Sequence, residues 1–346
     1  MKVLFAVCVA VLTAVLGVSI VLSGPVMAQA PTAQASTSGI EPLAFHHVHL
    51  NAVNPSAAAD YYPKAYAKST TRTTYNGYEA DKTGPLYLLF TKVATTPQNE
   101  LTGPQDSIWH FGWNTPDSVA YDKNFRAMGL TIAQMWDGGP GDKDAKLVDM
   151  SSDVPTAPGG GFATAEQMLE FHAQGTKGSG RGGFGYLRGP DGSMIENAQA
   201  GMEERFNHVH MYHENPVCAE LWYRDHLGAS VAARGLPAPG EDCQTKLYNP
   251  PTFPSFARGG FVRGPGGANF GTISILIQPW PGGGLVSPIG HIVDHWALST
   301  ADLDKTVTRL KSEKVKFIQE IHPWGNSRAA MIEGPDRVAI ELVEVK

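Results

Sequence analysis

Phe45-His46-His47-Val48-His49-Leu50 is followed by Asn54-Pro55, Ala58 and Tyr62. The pattern returns as Phe206-Asn207-His208-Val209-His210-Met211, followed by Asn215-Pro216, Ala219 and Tyr223, with every pair 161 residues apart. A second repeat relates Gly189-Pro190-Asp191 and Glu196 to Gly334-Pro335-Asp336 and Glu341 at an offset of 145. Packing a core requires apolar periodicity; it does not require histidines and a glutamate to stay in step. A doubled metal site requires both.

Around these repeats the chain falls into four segments, each a short strand, a helix and then two or three strands. The first opens with Phe45–Leu50, continues as a helix over Ser56–Ala67, and adds strands at Thr73–Tyr78 and Leu86–Val93. The second opens at Ser107–Trp113, with a helix over Asp117–Met128 whose Val119, Phe125 and Met128 recur near helical spacing. It closes with Phe184–Leu187, a Gly-Pro-Asp-Gly turn at 189–192 and Met194–Ala198. The third comprises Asn207–Tyr212, a helix over Pro216–His226 and a β run at Gly271–Ile277. The fourth has a strand at Val293–Ser299 and a helix over Asp302–Glu313 with Leu303, Val307 and Leu310 on one face. Strands follow at Val315–Ile321, Ala329–Glu333 and Val338–Val345. The expected architecture is α+β: four βαβββ modules paired into two cupped mixed-sheet domains, 44–202 and 203–346. Long Gly/Pro-rich stretches, Gly138–Gly183 and Gly235–Gly267, read as lids, binding loops or disordered segments.

At 346 residues, with 42% apolar and 17% charged residues, the chain can bury two cores. A net charge of −6 and the lack of a basic run argue against nucleic acid as a partner. The N-terminus reads as an export signal. Lys2 precedes an uncharged run, Val3–Leu22, and Val26-Met27-Ala28 satisfies the small-residue cleavage rule. Residues 1–28 are therefore expected to be a signal peptide, with an uncleaved membrane anchor as the alternative because the apolar run is long enough to span a bilayer. Residues 29–43 form a flexible tether. The expected location is periplasmic or secreted, with contact to a membrane only if the anchor is retained. Removing the signal leaves Cys218 and Cys243, a disulfide candidate in an oxidising compartment.

Six motifs in order make the chain resemble the vicinal oxygen chelate superfamily, the glyoxalase, bleomycin-resistance and extradiol-dioxygenase group. They are His47-Val48-His49-Leu50, Trp109-His110-Phe111-Gly112-Trp113, Arg188–Glu196, His208-Val209-His210-Met211, His295-Trp296-Ala297-Leu298 and Gly334–Glu341. The resemblance covers essentially all of 44–346. It implies a metal held inside each cupped sheet by first-strand histidines and a late-strand glutamate. Carried over by position within each half, the ligands are His47, His110 and Glu196, and His208, His295 and Glu341. Where some members place a fourth protein ligand, this chain offers Thr91 and Gln278.

Two imidazoles and a carboxylate leave coordination positions open and suit Fe(II) first, with Mn, Ni, Co or Zn able to occupy similar sites. Side chains two apart on a strand share a face, so His49 and His210 follow the proposed ligands His47 and His208 and become candidates for acid–base work on a metal-bound small substrate. By the same alternation His46 points away. Gly112 and Ala297, two residues beyond His110 and His295, leave room for a ligand. His172, Lys177 and Arg181 in the first long loop could meet an anionic substrate. The resemblance thus implies an exported metal-dependent enzyme, dioxygenase chemistry first. Glyoxalase-type lyase or isomerase activity and non-catalytic sequestration of a small molecule are the alternatives.

Overall fold

A computed structural model describes residues 40, 43–99, 104–136, 147–149, 151–152, 184–231, 267–279 and 284–345. The N-terminal segment, Cys243, His172, Lys177, Arg181 and most of both long loops lie outside the described residues. Among the described residues no helix is long and apolar enough to cross a membrane.

The first module is β1 (Ala44–Ala52), α1 (Pro55–Ala65), β2 (Thr70–Tyr75), β3 (Tyr78–Thr83) and β4 (Leu86–Lys92). The second is β5 (Ile108–Thr115), α2 (Ser118–Ala127), β6 (Thr131–Ile132), the short pair β7 (Gln134–Trp136) and β8 (Leu147–Asp149), β9 (Phe184–Arg188) and β10 (Met194–Gln199). The third is β11 (Arg205–His213), α3 (Pro216–Leu227), β12 (Ser230–Val231), β13 (Gly267–Phe270) and β14 (Ile273–Pro279). The fourth is β15 (Val293–Thr300), α4 (Leu303–Ser312), β16 (Lys316–Trp324), β17 (Ser327–Glu333) and β18 (Ala339–Glu344).

One local device starts all four helices among the described residues. Asn54, Asp117, Asn215 and Asp302 each sit at the N-cap, and their side-chain oxygens accept the backbone N–H of Ala57, Ala120, Cys218 and Lys305. Such a cap satisfies an otherwise orphaned donor, and its loss costs about 1 kcal/mol. The expected strand Thr73–Tyr78 is instead divided between β2 and β3. Asn76 and Gly77 take positive φ (54° and 89°), the two-residue hairpin that Asn-Gly favours because both positions tolerate left-handed backbone.

The modules combine across the halves of the chain. Strand order is β16-β17-β18-β15-β1-β4-β3-β2 in one sheet and β12-β13-β14-β11-β5-β10-β9-β6 in the other. The first module therefore shares a sheet with the fourth, and the second with the third; neither 44–202 nor 203–346 builds either eight-stranded sheet by itself. Within each module the first and last strands run parallel, and the two first strands meet antiparallel at the centre, β1 on β15 and β5 on β11. Fold class and module order agree with the sequence expectation, while the pairing corrects it.

Apolar side chains of one face of each sheet and of the helices merge into a single core that includes Phe45, Phe206, Phe111, Trp113 and Trp296. The Gly-Pro-Asp turns fasten the sheets together. Asp191, between β9 and β10, accepts the N–H of Val53 (3.2 Å) beyond β1, and Asp336, between β17 and β18, accepts that of Glu214 (3.0 Å) beyond β11. Both aspartates hold positive φ, 54° and 52°, which aims each carboxylate at the other sheet. Buried His213 pairs with Asp336 (2.8 Å) and Tyr223 Oη (3.0 Å) at the second fastening. Cys218 is disulfide-bonded through a partner outside the described residues.

Candidate metal centres

All six proposed ligands are buried, and they gather as two trios with exchanged partners: His47 with His295 and Glu341, and His208 with His110 and Glu196. The exchange follows from the sheet order. His47 pairs with Ala297, which also faces Glu341, while His208 pairs with Gly112, which faces Glu196. A small residue thus separates histidine from glutamate in both cups. A Cβ on Gly112 would stand 2.6 Å from the His208 ring and 2.8 Å from Glu196, so the room beside Gly112 is taken up by these two candidate ligands themselves.

In the first cup Glu341 Oε2 lies 3.3 Å from His47 Nε2 and 3.7 Å from His295 Nε2. All three atoms are buried without a hydrogen-bond partner. In the second, Glu196 Oε2 lies 2.7 Å from His110 Nε2, 3.4 Å from His208 Nε2 and 3.6 Å from His210 Nδ1. Atoms bound at about 2.0–2.2 Å to one ion stand about 2.9–3.5 Å apart, so both sets suit a divalent ion. Leaving such groups buried and unpaired costs about 1–3 kcal/mol each, a penalty that coordination removes.

Four β-bulges decide how the histidines are held. The ladder shifts register between Phe45 and His47, between His49 and Leu50, between Phe206 and His208, and between His210 and Met211. Each shift adds one residue immediately before a ligand histidine: His46, Asp294, Asn207 and Trp109. A bulge breaks strict alternation and brings the extra side chain to its neighbour's side. His46 therefore does not point away. Its Nδ1 sits 2.8 Å from His47 Nδ1, and its ring lies against Tyr75, Tyr87 and Trp324. Asp294 Oδ1 takes His295 Nδ1 (2.7 Å), and Asn207 Oδ1 takes His208 Nδ1 (2.9 Å). These contacts fix which ring nitrogen faces the cup, the usual means of orienting a metal-binding imidazole. Simple alternation concealed them, although the tell-tale residue stands directly before each histidine in sequence.

The electrostatics differ between ligands. Burial alone would drive His295 toward the neutral form, but the hydrogen bond to Asp294 and the nearby Glu341 carboxylate raise it to about 9. His110 is lowered to about 3, chiefly by burial, which outweighs its bond to Glu196. Glu341 and Glu196 resist the upward push of burial and stay well below the ordinary carboxylate range, held there by His295 and His47 and by His208, His110 and His210 respectively. Both glutamates are thus anionic, as ligands must be.

His49 and His210 sit differently. His49 Nε2 bonds Thr91 Oγ1 (2.6 Å), and burial followed by the His295 and His47 charges keeps it well below its ordinary value, hence neutral. His210 Nδ1 lies 2.9 Å from His110 Nε2. Aromatic rings line both cups: Trp324 stacks on His47 (5.6 Å, 6°) and Tyr78 meets His49 edge-on (5.0 Å), while Trp109 stacks on Tyr212 (5.1 Å) in the second. The opposite edges of the first sheet meet where Asn76 Nδ2 donates to Trp324 O (2.8 Å) and Asn76 Oδ1 accepts from Asn326 N (3.0 Å), closing that cup.

Two cupped sheets on βαβββ modules each bring together a His/His/Glu trio that could hold a metal ion. Residues 205–342 match the Glyoxalase/Bleomycin resistance protein/Dioxygenase superfamily model. The match covers the third and fourth modules. Among solved structures it is similar to glyoxalase I from Zea mays (14% identity, 87% of this chain and 92% of that one, TM-score 0.52). A point mutant of the same protein gives 12% identity, 87% and 94% coverage and a TM-score of 0.54. At these identities the likeness is one of fold. The comparison with curated proteins found no match.

Proposed function

We propose that the protein is an exported metal-dependent enzyme whose first cup acts on a small substrate chelated through two adjacent oxygens. The observation that carries this reading is the set of buried, unpartnered atoms in which His47 Nε2 and His295 Nε2 lie 3.3 and 3.7 Å from Glu341 Oε2. Three protein donors leave positions open for the substrate, and Fe(II) is the first choice of metal. Bound there, the ion supplies Lewis acidity and one-electron chemistry with dioxygen. The reaction favoured is ring-opening dioxygenation of a catechol-like diol, both oxygen atoms entering the product so that no further reductant is required.

The chain's own residues do the rest. Trp324 and Tyr78 offer flat apolar surfaces beside the histidines, suited to an aromatic ring. Neutral His49, anchored by Thr91, can accept a proton from a substrate hydroxyl. A glyoxalase-type reading has less support, since Thr91 and Gln278 stand where a fourth carboxylate was sought.

The test is oxygen uptake by the anaerobically iron-loaded protein with a panel of catechols. Glu341→Ala should abolish both metal retention in the first cup and uptake. Uptake that survives in Glu341→Ala overturns the assignment of the first cup.

A further inference from the structure

The two cups carry the same trio on equivalent strands, yet a fourth pair of equivalent residues, His49 and His210, is engaged in unlike ways. In the second cup the donor atoms of His110, Glu196, His208 and His210 all lie within 4.8 Å of one another. His210 Nδ1 is 2.9 Å from His110 Nε2 and 3.6 Å from Glu196 Oε2, separations that ligands of one ion adopt. In the first cup the corresponding close set holds the histidines His47, His49 and His295, while Glu341 faces His47 and His295. There His49 Nε2 bonds Thr91 on β4 at 2.6 Å, and although its Nδ1 is buried without a partner, the close set that includes His49 does not include Glu341. The equivalent β14 position holds Gln278: Thr91 pairs with Asn51, and Gln278 with Tyr212.

We propose that the cups are two kinds of metal centre. In the second, His210 is a fourth protein ligand through Nδ1, giving a three-histidine, one-glutamate site. In the first, His49 stays outside the coordination sphere and the ion keeps three protein ligands. The proposal rests on the reading of both cups as metal sites and adds a division between them. A centre with four protein donors has one fewer position for substrate, so the second cup is the more closed of the two.

The probe is Co(II), titrated anaerobically into the metal-free full chain, with occupancy and visible absorption recorded for wild type, His210→Leu and His49→Leu. Leucine approximates the volume and offers no donor. Removing His210 should weaken the second site on the order of 10²-fold and shift its absorption, while the first site stays filled and reports an intact fold. Removing His49 should leave both sites within about 3-fold of wild type, since a residue that binds no metal contributes none of the binding energy. Glu341→Ala, which should confine Co(II) to the second cup, supplies a measurement without any change at His210: X-ray absorption should count three imidazoles.

An unchanged second site in His210→Leu, or two imidazoles in Glu341→Ala, overturns the proposal. So does equal weakening of the first site by His49→Leu, which would make the cups equivalent. Two ions retained in Glu196→Ala would instead overturn the reading of the second cup as a metal site.

Discussion

Trp109 occupies beside His110 the bulge position that Asp294 occupies beside His295. Asp294 accepts the His295 Nδ1 proton at 2.7 Å, whereas the Trp109 ring packs 4.4 Å from His110, whose Nδ1 is buried without a partner. An indole N–H can donate but not accept, so it cannot fill the aspartate's role. The neighbouring strand has adjusted to match: Asn51 donates to Asp294 (3.0 Å), and its counterpart Tyr212 stacks on Trp109.

That asymmetry predicts the effect of Asp294→Asn. Losing the carboxylate behind His295 should weaken metal binding in the first cup about 10–100-fold. The second cup should be unaffected. Calorimetric titration of the metal-free variant with Zn(II) reads both sites, and equal affinities in variant and wild type would rule out an orienting role for Asp294.

The crosswise pairing makes a sharper prediction about stoichiometry. Wild type should hold two divalent ions per chain, and Glu196→Ala or Glu341→Ala one. Combining His47→Ala with Glu341→Ala should still cost one ion, because both belong to the first cup. Combining His47→Ala with Glu196→Ala should cost both. Metal analysis giving the reverse pattern would restore sites built within each half of the chain.

Gly112→Ala should empty the second cup alone. The added methyl would stand 2.6 Å from His208 and 2.8 Å from Glu196, both tied to backbone positions that cannot recede far. A loss of at least about 10-fold in affinity there is expected, since ligand geometry must be held to a few tenths of an ångström. Ala297, at the equivalent place in the first cup, already carries that methyl and marks how the two cups diverged. Normal metal content in Gly112→Ala would show that the second cup yields enough to admit the methyl.

Asp81 on β3 is fully buried and neither carboxylate oxygen has a hydrogen-bond partner. Burial raises it from 3.8 to about 8, against the pull of Arg72. Between these values the folded protein binds a proton that the unfolded chain has released, so stability falls as pH rises from about 4 through 8. Asp81→Asn should flatten this dependence and gain about 1–3 kcal/mol at pH 8 while changing little at pH 4. Urea denaturation at the two pH values decides it; parallel losses in both proteins would place the ionisation elsewhere.

The residues legible in sequence were those whose signal is local or repeated. The Gly-Pro-Asp turns, the module order and the six candidate ligands could be read because each depends on neighbours within a few positions or on a copy at fixed offset. His46, Asn207 and Asp294 were missed for a definite reason. Strict alternation sends every second side chain away, and only the paired strand shows where a bulge suspends that rule.

What the sequence alone determined was therefore the parts: four βαβββ modules, each able to offer one histidine, and two able to offer a glutamate. Which modules share a sheet was decided by the tertiary structure. His47 meets His295 and Glu341 across about 250 and 290 residues of chain, a separation at which no local preference acts. The first strands are alike enough in pattern that β1 could pair with β5 as readily as with β15 by alternation alone. Burial of one shared core and the crosswise Asp191 and Asp336 fastenings accompany the second arrangement, and with it the partners of every metal ligand.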